Sequence, residues 1–391
     1  MYAMNDGWCQ SLLRRYFILA PMLLLTLTAC RKDNETARAE PLVIGADLTL
    51  TGPTAYWSEQ IRAGLDAAVA EANREPNARP IRVVYQDNQA NPAQAASIFQ
   101  RFATVDDASV VIACFSPVAR PLRDLAAQQQ VPFLATVVSA LHFAAPNEWT
   151  FRDFPPNDQQ GTALATFAYD SLGLRKVASL VVNDDYGKDG QTAFTAEFTK
   201  RGGTMGAAET MTQTANDVRS QVIRILAGQP DGVLVIVRDN ALGVAVRQLR
   251  ENGFTGRILG VNAFDAPTVQ RAAGTALRGT VFSSAYVDLQ STPEGAEFAR
   301  AYAAGHEGTQ PDWVVVYGYS IGKYLSAVLR AADGDRTRVQ AALATLSVES
   351  LRGPLRMSRE RDVLSPIAIY EYNADGLGRT RRYVEEVTSE P

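Results

Sequence analysis

A serine nucleophile is the first chemistry to consider, because residues 318–322 read Gly-Tyr-Ser-Ile-Gly with Ser320 at their centre. This G-x-S-x-G pattern is typical of the strand-to-helix turn that presents a hydrolase serine, with a histidine base downstream. Both histidines of the chain, His142 and His306, precede Ser320. Apolar residues across 314–328 also recur at helical spacing, which predicts a helix here. A serine hydrolase therefore stays a third alternative, and we expect no enzyme.

The sequence contains few residues that could bind a metal or a nucleic acid. The chain has two histidines and three cysteines, with no H-E-x-x-H motif and no cysteine pair at metal-ligand spacing. Zinc sites built mainly from carboxylates are rare, so we expect neither a metal nor a cofactor. Cys9 and Cys30 lie in the first 30 residues, which leaves Cys114 alone without a disulfide partner. The formal net charge of −4 offers no basic excess for phosphates, so no nucleic-acid partner is expected.

The first 30 residues resemble a bacterial lipoprotein signal. Two arginines precede the apolar residues 16–28, and residues 27–30 read Leu-Thr-Ala-Cys. In such a signal the thiol of Cys30 is acylated, residues 1–29 are removed, and Cys30 becomes the new N-terminus. The apolar run is too short to span a bilayer core of about 30 Å. We expect a protein of the periplasm or cell surface, anchored to a membrane through lipidated Cys30; an ordinary signal peptide with an incidental cysteine is the alternative.

Strand-like and helix-like segments alternate from residue 41 onward, after a polar tether. Short β-branched runs predict strands at 42–48, 81–86, 110–115, 132–137, 177–182, 233–237, 258–261 and 280–283. Helical spacing predicts helices at 58–74, 92–104, 119–129, 158–172, 189–201, 217–226, 241–251, 293–305 and 311–332. Continuous apolar strands are buried on both faces, which indicates parallel sheets. The pattern therefore predicts a doubly wound α/β fold.

Two lobes are more consistent with the sequence than one large sheet. Residues 149–158 break the alternation, and their two prolines enforce extended backbone, as in a crossover between lobes. Further extended stretches lie near 286–292 and 359–364. We predict these boundaries: signal peptide 1–29, tether 30–40, lobe 1 from 41–154 and 286–361, and lobe 2 from 155–285 and 362–391.

Five segments together resemble the type I periplasmic solute-binding proteins of the leucine/isoleucine/valine-binding family, which serve ABC importers. They are residues 45–53, 113–117, 151–153 with 158–161, 182–187, and 215–218 leading to 229–233. The resemblance covers nearly all of 41–375. It implies two lobes joined by three crossovers that close around a small polar ligand. The implied partners are that ligand and a membrane permease, and we expect a monomer. A ligand-sensing or regulatory envelope lipoprotein is the alternative.

The resemblance implies ligand contacts from lobe 1. Ser116 follows a predicted strand, where its hydroxyl and nearby N–H groups could hold a carboxylate or amide oxygen; a simple helix N-cap is the alternative. Ser139 matches a small hydroxylated position that faces the ligand, and Val137 matches a backbone contact. Trp57, with Tyr56 beside it, matches an aromatic that walls the pocket in some members.

Lobe 2 is expected to contribute Tyr186, whose position lies at the cleft in the family. Amino-acid-binding members place an acidic residue where this chain has Asn262; Asp265 could replace it or cap the following helix. Members also have aromatics where this chain has Arg238 and Asp239. Because a buried unpaired charge is costly, these two pair with each other, stay solvated or bind a charged ligand. An amino acid, an amide or a small carboxylate remains possible.

Overall fold

The computed structural model describes residues 40–52, 54–140, 142–285, 289–364, 366–376 and 378–385. The predicted signal peptide, Cys30 and nearly all of the predicted tether lie outside these residues. Within them, no helix is both long enough and apolar enough to cross a membrane.

The chain first forms a sheet whose strands all run parallel, in the order β2-β1-β3-β4-β5. The elements are β1 Leu42–Leu48, α1 Ala55–Ala72, β2 Ile81–Asp87, α2 Pro92–Thr104, β3 Val110–Cys114, α3 Ser116–Ala119, α4 Leu122–Gln129, β4 Phe133–Thr136 and β5 Thr150–Asp153. This sheet is the centre of lobe 1. Residues 150–153, predicted as part of a crossover, are its edge strand.

The chain then builds most of a second sheet, the centre of lobe 2. The elements are α5 Asn157–Thr166 with a π-turn at Phe167–Ser171, β6 Lys176–Val182, α6 Asp185–Lys200, β7 Thr204–Met211, α7 Arg219–Ala227, β8 Gly232–Ile236, α8 Asp239–Glu251, β9 Arg257–Gly260, a 3₁₀ turn Asn262–Asp265, α9 Pro267–Ala273, a second 3₁₀ turn Gly274–Leu277 and β10 Val281–Ala285. Strand β7 was not predicted from the sequence because it lies at the sheet edge, largely exposed, and lacks an apolar run.

After β10 the chain returns to lobe 1 and later completes the second sheet. The remaining elements are a 3₁₀ turn Leu289–Ser291, α10 Pro293–Gly305, α11 Trp313–Ala331, α12 Arg336–Thr345, a hairpin of β11 Val348–Ser350 and β12 Gly353–Leu355, then β13 Ile367–Tyr372 and β14 Arg379–Glu385. The second sheet has the order β14-β13-β10-β9-β8-β6-β7. Its last two strands are antiparallel, so lobe 2 departs from the purely parallel sheet that the sequence predicts.

Successive side chains of β1 point to opposite faces of the lobe 1 sheet, and helices cover both faces. Ile44 packs with α1 and α11 on one face of the sheet, and Val43 packs with α2 and α4 on the other. On this second face Phe99 and Phe133 meet edge to face, with ring centroids 5.9 Å apart. Because both faces are covered, the strands read as continuous apolar runs.

Helices α1 and α11 cross unusually closely through glycines. A Cβ at Gly64 would lie 2.1 Å from the Val315 carbonyl oxygen, and one at Gly318 would lie 2.3 Å from the Ile61 carbonyl oxygen. Only glycine permits this approach. The G-x-S-x-G pattern is thus a helix-packing motif, and Ser320 lies fully buried within α11.

Two adjacent residues of β5 tie the lobe connections together. Arg152 forms a two-pronged ion pair with Asp362, at 2.9 and 2.5 Å, where the chain passes toward β13. Asp153 accepts a 2.7 Å bond from Arg352 of the hairpin, and both side chains are buried. Two ion pairs therefore join the end of β5 to the hairpin and to the segment around Asp362. The lobe boundaries given above stay a prediction, and positions 286–288 lie outside the described residues.

Candidate functional site: the interlobe cleft

A narrow cleft lies at the carboxyl ends of strands from both sheets. Open α/β sheets bind ligands at such strand ends, because side chains and free backbone N–H groups converge there. Its walls are formed by Trp57, Phe115, Ser116, Val137, Ser139 and Phe154 from lobe 1 and its connection, and by Tyr186, Arg238, Asn262 and Ala263 from lobe 2.

The structure brings together most of the residues that the resemblance proposed. Those that line the cleft are Trp57, Ser116, Val137, Ser139, Tyr186, Arg238 and Asn262. Their contact with a ligand stays a prediction. Phe115, Phe154 and Ala263 were not proposed, although Phe115 lies in a segment that carries the resemblance. Phe154 could have been found as the aromatic residue that follows the Arg-Asp pair in the predicted crossover.

Trp57 lies 2% exposed between the two lobes. On its own lobe, its ring contacts Tyr56 edge-on with centroids 5.8 Å apart and Trp313 at 5.7 Å. Tyr56 is not among the lining residues: its hydroxyl donates to Asp312, the residue that caps α11. The hydroxyl proton is held more tightly because burial and that carboxylate raise the pKa of Tyr56. Tyr56 therefore supports the wall behind Trp57.

Two residues on the lobe 1 side of the cleft have left-handed backbone conformations. Phe115 has φ +70° and Val137 has φ +52°. Such values are costly for a β-branched residue, and strain of this kind concentrates at functional sites. Ser116 and Ser139 follow closely and are 3% and 2% exposed. Ser116 is the first residue of α3 and not its cap, so the N-cap alternative is wrong.

Tyr186, Arg238 and Asp184 are in contact on lobe 2, and the first two line the cleft. The guanidinium of Arg238 lies over the Tyr186 ring, 4.4 Å from its centroid. It donates to Asp184 Oδ2 from both terminal nitrogens, at 2.7 and 3.0 Å. Arg238 therefore pairs with Asp184, and not with Asp239. Gly187, beside Tyr186, leaves room for the Val182 carbonyl oxygen, which a Cβ would approach to 2.1 Å.

Asp239 is a buried carboxylate, with 4% of its surface exposed, and it is not among the residues that line the cleft. Its Oδ1 accepts a 2.9 Å hydrogen bond from Trp57 Nε1 on the opposite lobe. Its Oδ2 has no hydrogen-bond partner among the described residues. Burial raises the pKa of Asp239, while the Trp57 bond and the charge of Arg238 oppose that rise. The solvated arrangement considered from the sequence is therefore wrong for this residue.

Asn262 and Asp265 begin and end the 3₁₀ turn after β9. Asn262 lines the cleft, and its Oδ1 is buried without a hydrogen bond to any described residue. Asp265 accepts a 3.3 Å bond from the Ser284 hydroxyl and is not among the lining residues. Helix α9 starts at Pro267 without a side-chain cap, so Asp265 does not cap it.

The two lobes also touch at the rim of the cleft. Arg120 of lobe 1 lies 2.6 Å from Asp185 and 3.6 Å from Asp189, both on α6 of lobe 2. Together with the Trp57–Asp239 bond, this contact defines a closed arrangement of the lobes. Within the described residues, no three His, Cys, Asp or Glu side chains gather as a metal site.

Two α/β lobes with a cleft between their strand ends are the architecture that the resemblance implies for a solute-binding protein. The periplasmic binding protein family profile matches residues 41–376, and the chain belongs to that family. The Leu/Ile/Val-binding protein homolog 2 of Brucella abortus (strain 2308) is 26% identical over 349 residues, which cover 86% of this chain and 92% of that protein. The predicted family and its type I fold are confirmed.

Solved structures show the same fold at lower identity. A leucine-binding protein from Thermotoga maritima has a TM-score of 0.81 at 21% identity, covering 88% of this chain and 99% of that one. An ABC-transporter solute-binding protein from Rhodopseudomonas palustris, in complex with benzoate, has a TM-score of 0.79 at 22% identity, covering 88% and 96%. The chain is a binding protein and not an enzyme, consistent with the burial of Ser320 in α11.

Proposed function

We propose that the protein captures a small polar ligand in the interlobe cleft by hinge closure and passes it to the permease of an ABC importer. The observation that carries this proposal is a single cleft lined from both lobes, with Trp57 and Ser116 facing Tyr186 and Asn262. A ligand held by both walls stabilises the closed arrangement in proportion to its preference for it. The names of the relatives from Brucella and Thermotoga support the same role.

The polar atoms of the cleft favour a ligand that carries both acceptors and donors. On lobe 1, the hydroxyls of Ser116 and Ser139 suit a carboxylate or carbonyl oxygen. On lobe 2, Asn262 lines the cleft, and its Oδ1 is a buried acceptor without a partner among the described residues. Arg238 adds little net charge because Asp184 neutralises it. An amino acid or a small amide brings an N–H donor to this acceptor, whereas a plain carboxylate such as benzoate brings none.

A thermal-shift screen tests this proposal. The probes are L-leucine, L-isoleucine, L-valine, their amides, and benzoate. A ligand at about 100 times its Kd adds about 2.7 kcal/mol to the free energy of unfolding. We expect an amino acid or an amide to raise the melting temperature and benzoate to leave it unchanged. Ser116→Ala should reduce the rise, while Ser97→Ala, at an exposed position on α2, should not. A screen in which no compound raises the melting temperature contradicts the proposal.

We also propose that the protein is tethered to a membrane by acylation of Cys30. The support is the Leu-Thr-Ala-Cys sequence at residues 27–30, after a basic and then apolar segment. Incorporation of a palmitate analogue should be lost in Cys30→Ser and retained in Cys9→Ser. Equal incorporation in both variants would refute the anchor without touching the binding role.

A further inference from the structure

We propose that Asp239 is a positioning residue that holds the Trp57 indole across the cleft, so that this wall of the site is completed only when the lobes close. The inference rests on the proposed function, because it assigns Asp239 a part in building the ligand-binding wall. It differs from a ligand contact: Asp239 acts through Trp57, and its effect exists before any ligand arrives.

The first support is that one hydrogen bond joins the two lobes at the depth of the cleft. Trp57 belongs to α1 of lobe 1 and Asp239 begins α8 of lobe 2. The indole Nε1–H donates to Asp239 Oδ1 at 2.9 Å, and both side chains are at least nine-tenths buried. A hydrogen bond to a charged group contributes more to stability than one between neutral groups. Separation of the lobes would remove that contribution entirely.

The second support is that each partner is fixed on its own lobe. Trp57 is held between the rings of Tyr56 and Trp313. Asp239 has φ +52°, a left-handed value that aspartate tolerates better than most residues. Because the two partners belong to different lobes, separation of the lobes breaks the bond, so the bond reports closure.

The third support is that, among the described residues, no second hydrogen-bond donor competes with Trp57 for the carboxylate of Asp239. Its neighbour Arg238 is turned to Asp184, at 2.7 Å. Asp239 Oδ2 has no hydrogen bond to any residue that the structure describes.

The test measures the indole N–H signals of the full-length protein by ¹⁵N–¹H NMR after labelling of its tryptophans, with no ligand added. The Trp57 signal is identified by its absence in Trp57→Phe. In the wild type we expect the Trp57 proton to exchange slowly with D₂O. Asp239→Ala should accelerate that exchange at least tenfold. Asp239→Asn keeps an oxygen acceptor and should restore slow exchange. The Trp149 and Trp313 signals should stay unchanged in both variants.

Unchanged Trp57 exchange in Asp239→Ala would overturn the inference. So would equal acceleration of the Trp57, Trp149 and Trp313 signals, because that result means general loosening and not loss of one bond. Since no ligand is present, failure here leaves the thermal-shift screen unaffected. Conversely, if no compound raises the melting temperature but Trp57 exchange behaves as expected, the Trp57–Asp239 contact stands. Only the proposed solute capture is then contradicted.

Discussion

At the scale of single residues, buried carboxylates lower the stability of the folded state when they are ionised, because an ionised carboxylate away from water loses its hydration. Asp47, at the end of β1, is fully buried and accepts a 2.9 Å bond from Asn88 Nδ2. Its other oxygen has no partner among the described residues. Burial first, and then the nearby charge of Asp87, raise the pKa of Asp47 to about 7, against the hydrogen bond from Asn88.

The raised pKa of Asp47 predicts a pH-dependent stability. Between about pH 4 and 7 the folded state keeps a proton that the unfolded state releases, so stability falls as pH rises through that window. Asp47→Asn cannot ionise. Its free energy of unfolding, relative to wild type, should therefore increase between pH 5 and pH 8, on the order of 2 kcal/mol. Urea unfolding at both pH values measures this.

The matched control for Asp47 is Asp124→Asn, which changes the same chemical group at an exposed position on α4. Its free energy of unfolding relative to wild type should be nearly the same at pH 5 and pH 8. If the Asp47→Asn difference is also independent of pH, the buried carboxyl does not carry the proton that we assign to it.

At the scale of elements, lobe 1 depends on the close crossing of α1 and α11. Gly64 and Gly318 bring the two backbones into contact, and this contact places Trp313 behind Trp57. The helix pair therefore supports both the core of lobe 1 and one wall of the cleft. The sequence motif around Ser320 is explained by this crossing alone.

Gly318→Ala should push the two helices apart. A Cβ there would lie 2.3 Å from the Ile61 carbonyl oxygen, and overpacking of this kind costs about 1–3 kcal/mol. The midpoint of urea unfolding should fall accordingly. Gly305→Ala is the matched control, because a Cβ at that helical position meets no atom within 4 Å. Equal midpoints for the two variants would show that the crossing tolerates a methyl group.

The hinge-side ion pair of Asp153 and Arg352 gives a second element-scale prediction. Burial raises the pKa of Asp153 to about 6 even though Arg352 lowers it. Arg352→Met leaves a buried carboxylate without its cation, which costs about 3–5 kcal/mol. The double variant Arg352→Met/Asp153→Leu should recover part of that loss in urea unfolding. A double variant no more stable than Arg352→Met would contradict this assignment.

At the scale of the whole molecule, closure is held at two places: the rim, through Arg120, and the depth, through Trp57. The rim contact is partly exposed, so its strength depends on salt. Arg120→Gln should enlarge the radius of gyration in small-angle X-ray scattering, and high salt should enlarge it in the wild type. Arg101→Gln, which removes an ion pair within lobe 1, should leave the radius unchanged. An unchanged radius in Arg120→Gln would mean that the rim pair does not hold the lobes closed.

The sequence predicts the two α/β lobes because buried parallel strands are continuous apolar runs, as in β1 and β3. It does not reveal β7, whose residues are mostly exposed or half exposed, or the antiparallel strands of lobe 2, of which β13 is largely buried but mixed in character. Ser116 and Trp57 could be proposed from short segments that resemble a family. The pairing of Arg238 with Asp184 could not, since those residues are distant in sequence and meet only in the folded lobe. The left-handed backbone at Val137 could not be predicted either, because the position holds neither glycine nor asparagine, the residues that usually indicate such a conformation.

The central claim is that a small solute binds between the two lobes, against Trp57 and Ser116 on one side and Asn262 on the other. A crystal structure with the strongest compound from the thermal-shift screen tests it most directly. We predict electron density for that compound in contact with all three side chains. Density at another place, with the cleft occupied only by the protein's own side chains, would contradict the account.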